Sequence, residues 1–239
     1  MTQRVEALVK PELLIWGRED AGYALEEAAK KAAVLPERLA AWERGEQRPT
    51  IAQLRKLAKV YKRPLAVFFL SRPPKKFQAM HDFRRLTGQN TGQESPALRF
   101  AINRVRYRRG VALDLFDALG VKPEKLSASA SISDNPEMVA SRARDMLRIT
   151  ESESERWRTP YDAFNAWRDA LENRGILVFQ VQGVDVSEMR GFSISGSLLP
   201  AIAINIKDAV NGRIFTALHE FVHLMLREAG ICDLTENSL

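Results

Sequence analysis

Glycine and proline cut residues 12–70 into pieces no longer than a short helix, which limits this segment to a compact all-helical unit. Leu13-Leu14-Ile15-Trp16 opens a helix that should stop near Gly22, and a short second helix follows over 25–32. A tight break at Ala33-Val34-Leu35 leads to Pro36, which suits the first turn of a third helix. That helix should run through Trp42 and Arg44 and end at Gly45, a good residue just past a C-terminus. Pro49-Thr50-Ile51 starts a fourth helix with Thr50 as its cap, and residues 63–70 close the unit as an apolar fifth. The second and third helices, joined by a tight turn, have helix-turn-helix spacing.

A second constraint lies near the other end. The stretch Ile214-Phe215-Thr216-Ala217-Leu218-His219-Glu220-Phe221-Val222-His223-Leu224-Met225-Leu226 lacks Gly and Pro and is rich in helix formers. It contains HExxH as HEFVH, with two of the chain's three histidines. Four-residue spacing puts His219 and His223 on one helix face, where each could give an imidazole nitrogen to one tetrahedral Zn²⁺. Glu220 lies beside such a metal without binding it, placed to take a proton from the activated water as the general base of a metallopeptidase. A buried helix whose histidines are satisfied by protein partners is the other reading of the same residues.

Charge divides the chain. Residues 1–110 hold 23 Lys and Arg against 11 Asp and Glu, whereas residues 111–239 hold 13 against 19. A basic module that meets an anion, most often nucleic acid, is thus joined to an acidic module with another task. The single cysteine, Cys232, excludes an intramolecular disulfide framework and fits a reducing compartment. With no long apolar run and no signal-peptide pattern at Met1–Glu6, a cytoplasmic location without membrane contact is expected.

Between the two motifs, residues 73–96 read as a breaker-rich linker that includes His81. Residues 97–119 form a helix bearing Arg99, Arg104, Arg106, Arg108 and Arg109, either a phosphate-binding stripe or a solvated face. A small-polar loop at 127–136 precedes helices near 137–147 and 161–173, with Phe164 and Trp167 directed to the core. The period then changes. Residues 176–181, 192–195 and 201–206 read as short strands, giving a small sheet against the HExxH helix, an α+β peptidase core. An exposed edge of such a sheet can pair with an extended peptide.

The stretch AGYALEEAAKKAAVLPERLAAWERGEQRPTIAQLRKLAKVYKRP, with its WERG and RPT, resembles the Xre-type, lambda-repressor-like helix-turn-helix. VFFL, Phe83-Arg84-Arg85 and HEFVH extend the resemblance to proteins that fuse this module to an ImmA/IrrE-type metallopeptidase. The implied fold is mainly α with a small α+β part. It comprises a five-helix helix-turn-helix domain over 1–72, a linker over 73–96, and a helical segment leading into a zincin-like domain over 97–239. On the third helix the family's base-reading positions match Pro36, Glu37, Arg38, Ala41 and Arg44. Arg38 can address guanine and Glu37 can accept from cytosine, whereas Pro and Ala make no bidentate contact. Arg44, Arg48, Lys30 and Lys31 are phosphate candidates. Docking another repressor, or dimerising, is the alternative use of the module. Asn205, Arg213 and Phe215 also match family positions, with Arg213 expected near the start of the helix.

The resemblance implies a third zinc ligand, an acidic residue on a helix after HExxH. The chain ends at Leu239, so a truncated C-terminus is the expectation. The local substitutes rank Glu236 and Asp233 ahead of Cys232, while Glu228 would require the helix to turn. Three functions follow. One is a zinc-dependent site-specific endopeptidase cutting a partner helix-turn-helix repressor in a stress-response, phage or mobile-element circuit. Another is a DNA-binding regulator whose peptidase-like half is a sensor or inactive. The last is the regulatory half of a toxin–antitoxin pair. A homodimer is expected if the module reads a palindrome.

Overall fold

The computed structural model describes residues 5–74 and 94–226. The chain divides into two compact units, and the division falls inside a long helix after Phe100. The first unit includes residues 94–100 as well as the N-terminal helices. The linker residues 75–93, His81 and Phe83-Arg84-Arg85 among them, lie outside the described residues, as do Glu228, Cys232, Asp233 and Glu236.

In the first unit, α1 (Pro11–Asp20) starts on a proline whose missing N–H costs nothing there. It stops before Gly22, whose φ of +78° suits glycine. α2 (Leu25–Ala32) buries Ala28, Ala29 and Ala32. Its C-terminal residue Ala33 is left-handed at φ 55°, and its N–H reaches back to the carbonyls of Ala29 and Lys30. α3 (Pro36–Glu43) begins three residues later, so the tight turn is in place with alanine where glycine is the usual choice. α4 (Ile51–Val60) opens on a reciprocal capping box between Thr50 and Gln53.

The fifth element differs from expectation. Leu65–Phe69 is a 3₁₀ helix, not an α-helix, and buries Phe68. An extended N-terminal segment pairs with the start of α4, Glu6 opposite Thr50, with Ala7 N–H donating to the Pro49 carbonyl at 2.8 Å. Leu13, Leu14, Leu39, Trp42, Leu54, Leu57, Tyr61 and Phe68 form the core. Gly17 lets α1 approach that core closely, because a Cβ there would meet Phe68 at 2.9 Å and Tyr61 at 3.0 Å.

α5 (Pro96–Ala118) enters the second unit at Ala101. It is followed by α6 (Pro136–Leu147), the single-turn α7 (Glu151–Ser154) and α8 (Pro160–Glu172). Asn135, Thr150 and Thr159 cap α6, α7 and α8 with their side chains. β1 (Leu177–Val181), β2 (Gly191–Ile194) and β3 (Ala201–Asn205) form a sheet in the order β1-β3-β2. β3 lies in the middle, parallel to β1 with Leu177 opposite Ala201, and antiparallel to β2 with Gly191 opposite Ile204. All five β3 residues are buried, the burial of a strand covered on both faces.

α9 (Val210–Met225) packs against β2, β3 and α8. Phe164, Trp167, Leu171, Ile202, Ile204, Phe221 and Leu224 make the second core, so Phe164 and Trp167 are core residues as expected. The whole is mainly helical with a small three-stranded sheet. Among the described residues no helix is long and apolar enough to cross a membrane.

Candidate functional site

Two sets of residues can meet a ligand, one in each unit. In the first, α3 starts at Pro36, and Glu37 and Arg38 on its first turn are exposed. The Arg38 guanidinium lies 5.7 Å over the Trp42 ring, a stacking contact that pre-positions it without consuming its donors on a carboxylate. Lys30 and Lys31 at the end of α2 are exposed, with Lys31 3.9 Å from Glu27, a weak contact of the kind salt screens. Arg48 is exposed beyond α3. Two of the expected readers are placed otherwise. Ala41 is only 7% exposed, so it lies on the inward side of α3 and offers nothing to a groove. Arg44 caps α3 and donates to both carboxylate oxygens of Glu46, at 2.6 and 2.9 Å, which holds the Glu46 carboxyl below its usual range.

Inward from this face, Arg18 of α1 donates to both carboxylate oxygens of Glu43 at the end of α3 and to the Tyr23 carbonyl at 3.1 Å. Glu43 is buried, and its hydrogen bond raises the Arg18 guanidinium's affinity for its proton. Sequence reasoning missed this pair: residues 25 apart are brought together by tertiary packing, and neither helix shows it alone. Of the α5 arginines, read from the sequence as either a phosphate-binding stripe or a solvated face, two are engaged by backbone carbonyls. Arg99 donates to the Glu19 carbonyl, and Arg109 donates to the carbonyls of Leu198 and Leu199 at 2.9 Å. Arg104 and Arg108 remain exposed.

In the second unit α9 presents HEFVH. The Nε2 atoms of His219 and His223 stand 3.1 Å apart, with the rings at 79° to each other. Two imidazole nitrogens about 2.0–2.1 Å from one tetrahedral cation are separated by roughly 3.3 Å, so the pair already has nearly that bite. The same distance suits a hydrogen bond between the rings, provided one of the nitrogens carries a proton. Phe215, 56% exposed, stacks on His219 with ring centroids 6.1 Å apart.

Glu220 is buried at 1% exposure and accepts a hydrogen bond from the Ser193 hydroxyl on β2 at 2.9 Å. Strand alternation puts Ser193 on the opposite face from Phe192 and Ile194, but nothing in the sequence says that this face meets Glu220. Gly191 makes the close approach of β2 and α9 possible, since a Cβ there would meet Thr216 Cγ2 at 2.3 Å and the Ala203 carbonyl at 2.8 Å. Among the described residues no cluster of three or more His, Cys, Asp or Glu stands ready to hold a metal. The donor set therefore fits zinc at two of the three ligands a catalytic site uses.

Asn205 and Arg213 have structural roles. The Asn205 amide donates to the carbonyls of Val184 and Met189, at 3.2 and 2.9 Å, and its oxygen accepts from Lys207 N–H. Arg213 donates to the carbonyls of Asp208 and Ile206, tying the first turn of α9 to the end of the sheet.

Residues 14–68 match a family model described as helix-turn-helix, which spans α1 through the 3₁₀ helix. Within that span the Xre-like helix-turn-helix expected from the sequence is present. No curated protein matches the chain, and no solved structure matches it.

Proposed function

We propose that the protein is a DNA-binding regulator that engages the duplex through residues 14–68. The helix-turn-helix match over those residues carries this reading. Supporting it, Glu37 and Arg38 are exposed at the start of α3, and Lys30, Lys31 and Arg48 are exposed nearby in sequence. In such a module α3 is the recognition helix, entering the major groove by its N-terminal end. Arg38 reads a guanine, Glu37 accepts from a cytosine amine, and the lysines and Arg48 hold phosphates. Arg44 joins them only by releasing Glu46. Fluorescence anisotropy on duplexes from the gene's own upstream region tests the proposal. Binding should weaken steeply between 50 and 200 mM salt, by roughly three orders of magnitude for six phosphate contacts. Absence of binding at 50 mM salt to every such duplex would overturn it.

A second reading is favoured by the 3.1 Å approach of His219 and His223. In it the second unit is a zinc-dependent endopeptidase acting on a partner helix-turn-helix repressor, with a third ligand beyond residue 226. A bound zinc would supply Lewis-acid polarisation of the scissile carbonyl. Glu220, next to His219, would take the proton of the attacking water and pass it to the leaving amine, with Ser193 fixing the carboxylate's orientation.

A further inference from the structure

In the second unit the end of α6, the single turn α7 and α8 enclose a cavity of about 570 Å³. Small-molecule sites have volumes of ~300–1,000 Å³. The apolar lining is Leu147, Ile149, Trp157 and Ala170. Leu147 and Ala170 are buried, and Trp157 is held edge-to-face on the core residue Trp167, with ring centroids 6.2 Å apart. A half-buried indole fixed in this way is a platform for a planar ring.

The polar lining is mostly cationic. Arg148, Arg156 and Arg174 line the cavity, and none makes an ion pair or a side-chain hydrogen bond among the described residues. One cation after a helix C-terminus is ordinary, because it complements the carbonyl end. Here three converge, one following each of α6, α7 and α8, and all stay unneutralised. Two carboxylates share the lining. Asp169 is matched by Arg168 at 2.8 Å, whereas Glu153 caps α7 through Thr150 and carries its charge unmatched. Three guanidinium charges against that one carboxylate leave an excess of two positive charges.

We propose that this cavity binds a nucleoside monophosphate, with the base against Trp157 and the phosphate among the three arginines. A phosphomonoester carries close to two negative charges at neutral pH and so matches the excess, whereas a carboxylate supplies only one. Guanidinium forks pair with phosphate oxygens through two parallel hydrogen bonds. The base brings the ring face and apolar area that inorganic phosphate lacks. Asn173 also lines the cavity, and its side-chain amide, which makes no hydrogen bond among the described residues, has a donor and an acceptor for the base edge. The site lies wholly within the second unit and stands whether or not the first unit binds DNA.

Calorimetric titration of the full chain with the 5′-monophosphates of adenosine, guanosine, cytidine and uridine tests it. At least one should bind at a single site with a dissociation constant below ~1 mM. The matching nucleoside and inorganic phosphate, titrated separately, should each bind at least ~10-fold more weakly, since each lacks half of the contacts. Arg156→Ala, an exposed substitution checked for folding by circular dichroism, should weaken the nucleotide by ~10-fold or more. Absence of binding by all four nucleotides at ~1 mM would overturn the proposal. So would a nucleoside or phosphate that binds as tightly as the nucleotide, or an affinity unchanged in Arg156→Ala, which would place the nucleotide elsewhere on the chain.

Discussion

The guanidinium of Arg18 on α1 grips both carboxylate oxygens of Glu43 at the end of α3, at 2.8 and 2.9 Å. The pair fixes the roll of α3 against the body of the first unit, and with it the side that Glu37 and Arg38 present. Removing one partner leaves the other's charge largely desolvated. Glu43→Ala is expected to lower the stability of this unit by about 3 kcal/mol, a cost that a urea titration resolves easily. A loss below about 0.5 kcal/mol would show that the contact is incidental.

If α3 reads DNA, its side chains should fail in different ways. Arg38→Ala is expected to cost about 1–3 kcal/mol and to relax preference at one base pair. Arg48→Ala should weaken all duplexes alike and lower the slope of log affinity against log salt by about 1. Identical behaviour of the two variants across a panel of single-base changes would remove Arg38 from base reading.

Burial pushes the Tyr61 phenol above its ordinary pKa, and Tyr23 is raised by the same cause. Above pH ~10 the unfolded chain loses these protons first, so the folded state binds more protons and stability falls as pH rises. Below that pH the contribution is complete. Alkaline titration of tyrosinate absorbance should show a late phase from Tyr23 and Tyr61, whose phenols burial holds protonated. In Tyr61→Phe the late phase should shrink and the alkaline loss of stability become shallower. The variant should fold at least as well near neutrality, because the Tyr61 hydroxyl is buried with no hydrogen-bond partner among the described residues.

The full chain, purified without chelators, is expected to carry zinc by elemental analysis and to lose it in His219→Ala. Glu220→Gln should keep the metal, since both candidate ligand rings remain and the side chain at 220 is still held by the Ser193 hydroxyl. Metal-free wild type under these conditions would end the peptidase reading while leaving DNA binding untouched.

Gly191→Ala drives a methyl into Thr216 and the Ala203 carbonyl. Overpacking of this kind costs about 1–3 kcal/mol. Thermal unfolding should register it in the second unit, where a neutral result would mean that β2 can move away from α9 at little cost.

Much of this was legible because it is local. Proline at the start of α3, the Thr50 cap, the glycine after α3 and the period-two runs of the strands each act within a turn or two of themselves. The histidine pair was legible for the same reason, since four-residue spacing on a helix is enough to bring the rings together. What escaped the sequence depends on partners far along the chain. Ala41 faces inward because of how α3 rolls on α1. Arg99 and Arg109 are claimed by carbonyls 80 and 90 residues away, which no pattern on α5 foretells. The Leu65–Phe69 segment has the composition of an α-helix, but it is only five residues long and winds as 3₁₀.

One amide, that of Asn205, pins the 184–189 loop to the residue from which the chain turns into α9. Loop and helix are thereby coupled mechanically: a pull on one is delivered to the root of the other. The histidines lie about two and a half and three and a half turns farther along that helix. Asn205→Ala is the cut that would free the loop from this end of the sheet.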